Sequence, residues 1–442
     1  MILGRKLTAA ERCRSQNLYC AFNFINGMSY MCLGEGVLVL FAAQLGAPNS
    51  VVSLLGALLY VGYAMLPIGV LRTARRGAAA CQADFWIARN AAALVTASAA
   101  AVWVASPQAS WAVLVAGAFL FYGCRAAGSA LFTPLLGDVS TEEEASSVIG
   151  RTTGFFNLSA VAAIACVTAV MHRWHGRIAL AAIIVTGAAL GICSSFFVRG
   201  MYETGAIRDA AREPLRAGMR RALRNRALRR LSLDWFLLNL SIILFVPISV
   251  LALKRGCGFA DSRAMICACA QFGAGTLASF VCGPLCRAFG PRRVMAVSAL
   301  GFAAVPFAWL LFPETGPLAM PSAIMLFFWL GGCYYAIYNT TNAAFLEACP
   351  DKRDQVAGSV AVNLLAGAGA GVAGSALGAW LVSISGDLVS ALPFHAFAGP
   401  LGQFRLFFML VLPVPVAALL VCMIPLQKRG ADARNAAYPT VC

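Results

Sequence analysis

Two stretches decide how this chain is read: Gly69-Val70-Leu71-Arg72-Thr73-Ala74-Arg75-Arg76-Gly77 and Gly283-Pro284-Leu285-Cys286-Arg287-Ala288-Phe289-Gly290-Pro291-Arg292-Arg293. Each is an apolar run that ends in a glycine and then breaks into a short arginine-rich turn. The two lie about half a chain length apart in 442 residues. The simplest account is a duplicated membrane unit that carries one basic turn per half.

The composition around them agrees. Hydrophobic residues make up 60% and charged residues 12%, with a mean hydropathy of +0.77. A soluble domain would show about 45–50% and about 25%. Windows of roughly 20 apolar residues, enough to cross ~30 Å of hydrocarbon, cover 18–43, 51–71, 85–105, 111–136, 154–171, 178–198, 231–253, 264–286, 294–312, 321–346, 356–385 and 404–425. The expectation is an all-α polytopic membrane protein of about twelve helices. It divides into an N-terminal six-helix bundle over 1–198, a basic linker over 199–230, a C-terminal bundle over 231–427 and a tail over 428–442.

The net charge of +16 acts as a topology signal. With both termini inside, Arg173, Arg177, Lys254, Arg255, Arg263 and Arg405 fall outside and Arg125 falls within a span. Every other Lys and Arg is then assigned to the cytoplasmic side, as the positive-inside bias requires. No basic patch interleaved with aromatics suggests nucleic acid. Arg5, Lys6, Arg12 and Arg14 precede a first span too long for a signal-peptide core, so it reads as an uncleaved helix. The cysteines sit mostly in apolar windows and form no disulfide or zinc pattern.

The linker holds ten arginines. Glu213-Pro214 reads as a helix start, and Leu215, Met219 and Leu223 recur every fourth residue above a basic face. This predicts an amphipathic helix lying on the cytoplasmic headgroups, or else a solvated charged linker. A second internal echo joins Asp138, Glu142, Glu143, Glu144, Gly150 and Arg151 after the fourth span to Glu347, Asp351, Lys352, Arg353, Asp354 and Gly358 after the tenth.

Six plus six spans, a basic central loop and paired glycine–arginine turns between the second and third helices of each half resemble the major facilitator superfamily. The resemblance implies two bundles that alternate access to a central site, no cofactor, a cavity lined by spans 1, 4, 7 and 10, and an interface built from spans 2, 5, 8 and 11. It also implies conformational roles for Gly69, Arg72, Arg75, Arg76 and Asp138, and for Gly283, Arg287, Gly290, Arg292, Arg293 and Glu347. The sequence departs from the family in one respect. Where family turns carry an acid and then an arginine, Thr73-Ala74 and Arg287-Ala288 stand here. The acid latches one conformation at a neighbouring helix N-terminus; Asp84 is the nearest substitute.

Two charges lie deep within spans, where an ionisable group costs at least about 2.5–3.5 kcal/mol unless paired or hydrated. Glu35 and Arg125 are expected to share one aqueous pocket, either as a proton-coupled pair or as a fixed ion pair. Span 10 places Tyr335, Tyr338, Asn339 and Asn342 on one face, suited to a neutral polar solute such as a sugar or nucleoside or to hydrogen bonds between helices. Asn23, Asn26 and Tyr30 on span 1 and Asn239 on span 7 complete the candidate lining. Gly367, Gly371, Gly374 and Gly378 in span 11 are small residues at helix-packing spacing. His172, His175 and His395 read as surface histidines rather than a metal site.

The expected activity is secondary active transport of a small solute across the cytoplasmic (inner) membrane, with protons or another ion as coupling partner. Drug-type efflux of amphiphilic compounds is the alternative, and a polytopic membrane enzyme a more remote one. The chain is expected to work as a monomer in the lipid bilayer, without metal.

Overall fold

The computed structural model describes residues 1–174, 176–391 and 399–424; the expected tail over 428–442 lies outside them. Twelve helices are long and apolar enough to cross a membrane. They are α1 (Ala9–Gln44), α2 (Ser50–Arg76), α3 (Ala78–Val102), α4 (Pro107–Asp138), α5 (Ala145–Arg173), α6 (Arg177–Arg199), α7 (Arg226–Gly256), α8 (Arg263–Phe289), α9 (Pro291–Leu310), α10 (Ala319–Ala348), α11 (Lys352–Val389) and α12 (Gly402–Met423). Within the first half, α1 packs on α5 and α6, and α3 on α4 and α6. Within the second, α8 and α9 pack on α10, and α7 on α11 and α12. The halves meet where α5 lies along α8 and where α2 lies against α11.

The basic stretches are not turns, as the sequence had implied. Leu66–Arg76 is the helical end of α2, and α8 stays helical to Phe289. The chain reverses at a single glycine in each half, Gly77 at φ +88° and Gly290 at φ +81°, a backbone region that only glycine enters without strain. Gly69 is a packing position: a Cβ there would stand 2.0 Å from the carbonyl oxygen of Ala127 on α4. Several spans are interrupted. Gly34 is extended and splits α1, so that Glu35 opens a second helical segment. A 3-10 turn at Gly62–Met65 interrupts α2, and a π-type stretch at Asn363–Gly369 interrupts α11. Within a membrane such irregular backbone is tolerated where protein surrounds it.

On the face that carries the N-terminus and the linker, a short parallel pair joins β1 (Ile2–Leu3) to β2 (Glu203–Thr204). The N-terminal amine donates to the Met201 carbonyl. Asp138, at the end of α4, accepts from the Thr204 amide and hydroxyl, both at 2.7 Å. Glu203 is 1% exposed and accepts from the first two amides of α3, Ala78 at 2.8 Å and Ala79 at 3.3 Å. A carboxylate at a helix start satisfies N–H groups that have no partner inside the helix.

Burial pushes the Glu203 carboxyl up to about 7, against the pull of the two amides and the N-terminal amine, with Asp138 adding to the rise. Between the ordinary value of 4.5 and about 7 the folded chain holds a proton that the unfolded chain has released. Stability on this account is full below the ordinary value and falls as pH rises through the folded one, by on the order of 2–3 kcal/mol. Wild type is therefore expected to melt lower at about pH 8 than at about pH 5, with the slope flattened in Glu203→Gln. Equal slopes in the two proteins would remove Glu203 as the source.

The linker helix (Leu215–Arg224) forms, but its apolar face does not lie on headgroups. It covers α11: Gly218 packs on Ala357, and Leu215 and Met219 join the buried clusters. Arg221 bonds both Asp354 at 2.8 Å and Glu213 at 3.0 Å.

Candidate functional site

A tyrosine-rich cluster sits where the two halves meet. Arg125 on α4 lies over the Tyr30 ring of α1, 4.8 Å from its centroid. From the other half, Tyr334 and Tyr338 on α10 lie within electrostatic reach of Arg125 and Tyr63. Tyr334 also reaches Tyr30 and packs edge-on against Tyr335, with centroids 4.5 Å apart. Glycine makes room for the neighbouring rings: a Cβ at Gly367 would meet Tyr63 at 3.0 Å, and one at Gly371 would meet Tyr60 at 1.9 Å. Gly374 and Gly378 face the other way, toward Ile243 and Leu244 of α7. The side chain of Glu35 lies outside the described residues, and with it the expected Glu35–Arg125 pair.

The candidate amides are mostly committed elsewhere. Asn26 Oδ1 accepts from Trp86 Nε1 at 2.9 Å and from Arg89 at 3.2 Å, inside the N-terminal half. Asn239 donates to the Ala366 carbonyl at 3.1 Å. Asn342 accepts from Thr133 at 2.5 Å and donates to the Tyr338 carbonyl. Asn339 donates to Ser279 at 3.0 Å, and Asn157 of the opposite half reaches the same hydroxyl at 3.4 Å. Tyr335 fills the space over Gly275. Most of these amide groups are matched by hydrogen bonds within the protein, because an amide left unmatched inside a bundle costs more than one turned to a neighbour, although Asn339 Oδ1 has no partner among the described residues. Asn23 is buried on α1.

Sequence reasoning missed Arg89. It had been assigned to the cytoplasmic side by exclusion, yet it stands in the middle of α3 at 0% exposure. One nitrogen, Nη2, donates to Asn26, Ser29 and Asn90 at 3.2–3.4 Å. The guanidinium also lies 4.7 Å from the Trp86 ring and 5.2 Å from Phe121, so two aromatic faces replace part of its hydration. Nε and Nη1 have no partner among the described residues. The available signal was the residue's position eleven places into an apolar span with Trp86 one turn before it.

The charges of the paired stretches stay within their own halves. Asp84 accepts from Arg72 at 2.8 Å, Arg76 at 3.2 Å and Arg199 at 2.8 Å. It therefore does not serve as the expected latch between halves. Arg75, Arg287 and Arg293 point outward, while Arg292 sits among Arg230, Asp234 and Glu347. The start of α11 is capped by its own Asp351, which accepts from the Arg353 amide at 3.0 Å. Among the contacts that cross between halves toward this face are Asp138 to Lys352 at 3.9 Å, Ser359 to the Ala130 carbonyl at 2.7 Å and Thr133 to Asn342 at 2.5 Å. Closer still, a Cβ at Gly150 would stand 2.3 Å from the Ser279 carbonyl oxygen, and one at Gly283 would stand 2.6 Å from Ser147 Cα. His172 is exposed, and His175 and His395 lie outside the described residues.

No family model and no curated protein matches this sequence. Solved structures do. An Escherichia coli fucose:proton symporter aligns with a TM-score of 0.70 at 12% identity, over 94% of this chain and 100% of that one. A proton:xylose symporter aligns at 0.66 and 12%, over 94% and 95%. A bacterial homologue of the iron transporter ferroportin, in an outward-facing state, aligns at 0.66 and 12%, over 92% and 98%. The chain has the major facilitator fold over nearly its whole length.

Proposed function

We propose that this protein is a secondary transporter that moves a small polar solute by alternating access through the chamber of Tyr30, Tyr63, Arg125, Tyr334 and Tyr338. The observation that carries this reading is that both halves contribute tyrosines to one cluster around Arg125, so a solute bound there would touch both halves. Aromatic faces offer stacking surface, and Arg125 with the tyrosine hydroxyls offers donors to ring oxygens or hydroxyls. The positive-inside bias supports a cytoplasmic linker face, and the protein is proposed to sit in the inner membrane. Glu35, at the start of the second segment of α1, is the proposed proton carrier, and the chain is proposed to work as a monomer and not as an enzyme. Because the amides are engaged and the chamber is aromatic, efflux of flat amphiphilic compounds remains the second reading.

A thermal-shift panel on the purified protein tests this, since a ligand that binds only the folded state raises its melting temperature. Sugars and nucleosides against hydrophobic dyes separate the two readings. Arg125→Gln is expected to abolish the shift from whichever ligand binds, and Glu35→Gln to remove the pH dependence of transport. A ligand shift that survives Arg125→Gln would displace the chamber as the binding site, and recovery of a chemically altered ligand would make the protein an enzyme.

A further inference from the structure

Away from the chamber, a groove of about 570 Å³ opens on the surface of the N-terminal half between α1 and α5. Its lining is ordered. Asn17 and Arg151 lie toward the linker face, about 12 and 9 Å along their helices at 1.5 Å per residue, and Phe24, Ile25 and Phe155 lie deeper. A polar end at headgroup depth followed by an apolar trough matches the order of a phospholipid, head before tail.

The charge at the polar end is uncompensated. Arg151 donates through Nη2 to Gln16 Oε1 at 3.2 Å, and Gln16 is held in turn by the Val139 carbonyl at 2.9 Å. Its Nε is enclosed, and among the described residues neither a partner for that atom nor a carboxylate for the guanidinium is present, so a phosphate would be met by the Nη groups. An arginine is suited to bidentate recognition of a phosphate. At the apolar end, Phe24 is 39% exposed and meets Phe155 edge-on at 6.5 Å. Phe155 continues the aromatic run onto Phe280 of α8, in the opposite half, at 5.7 Å.

We infer that this groove is a site for an anionic phospholipid, its phosphate on Arg151 and Asn17 and one acyl chain along Phe24, Ile25 and Phe155. Through Phe280 the chain reaches the seam between α5 and α8, so an occupied groove braces the halves in this arrangement. The inference concerns a binding surface and stands whether or not the chamber carries a solute.

The test is native mass spectrometry and thermal shift of the full chain in micelles titrated with phosphatidylglycerol or phosphatidylcholine. Wild type is expected to retain one tight phosphatidylglycerol and to melt higher with it than with phosphatidylcholine. Arg151→Gln should weaken that binding about fivefold, the effect of one basic side chain near an anionic lipid surface. Phe24→Ser should weaken it by trimming the trough, and Arg173→Gln, on the opposite face, should leave it unchanged. Equal retention of the lipid by wild type and Arg151→Gln would overturn the site. So would a stabilisation reproduced in full by soluble glycerol 3-phosphate, which has the headgroup chemistry and no chain.

Discussion

Gly150→Val is expected to drive the two halves apart on the linker face and to reduce transport at least tenfold. The physical reason lies in the atom that a side chain would meet. At 2.3 Å the obstacle is the Ser279 carbonyl oxygen, a backbone atom of α8 that cannot rotate away. Gly283→Val meets Ser147 Cα at 2.6 Å from the other side of the same contact and should act alike. Overpacking of this kind costs about 1–3 kcal/mol, and roughly 1.4 kcal/mol shifts a two-state population tenfold. Spin labels at Glu143 and Arg287, both exposed on this face, should report a longer mean distance in either variant. An unchanged distance distribution would mean that the halves do not separate along this seam, and the alternating-access proposal would lose its hinge.

Arg89→Ala should lower stability by about 3–5 kcal/mol, the usual cost of emptying a large enclosed side-chain volume while orphaning its acceptors. Asn26, Ser29 and Asn90 each lose a donor, and the gap opens between Trp86 and Phe121. Arg89→Met fills most of that volume and removes a buried charge that has no acidic partner, so its cost should be less than half as large. Reversible denaturation of both variants in one detergent measures the difference. A loss below about 1 kcal/mol for Arg89→Ala would show that the residue is not a keystone of the N-terminal half.

Much of the architecture was legible in the chain. Twelve apolar windows stand out because a helix must satisfy its backbone internally to cross lipid, and their segmentation survives in the twelve helices. The paired stretches lie at matching places, the ends of α2 and α8, but their arginines suggested turns where the structure has helix ends. Local composition does not say that one glycine with positive φ suffices to reverse the chain. The tyrosine cluster was partly legible: Tyr30, Arg125 and Tyr338 lie near one another, whereas Asn26, Asn239, Asn339 and Asn342 hydrogen-bond neighbouring helices. Sequence spacing fixes which residues share a helix face; it does not fix which neighbour that face meets. Glu203 was invisible for the same reason, since the helix start it caps lies 125 positions earlier. Arg89 was a different error, because counting charges by loop assigned to the surface a residue that its own span had already enclosed.

The β1–β2 pair also bears on the order of synthesis. Ile2 and Leu3 leave the ribosome long before their partners Glu203 and Thr204, which follow only after all six spans of the first half. At about 5–20 residues per second that is a wait of roughly 10–40 s. Throughout it the start of α3 lacks its cap, because the capping carboxylate belongs to the same late segment. Completion of the first half is thereby tied to emergence of the linker, and a chain arrested before residue 203 has emerged would hold a first half whose shared face has not yet been sealed.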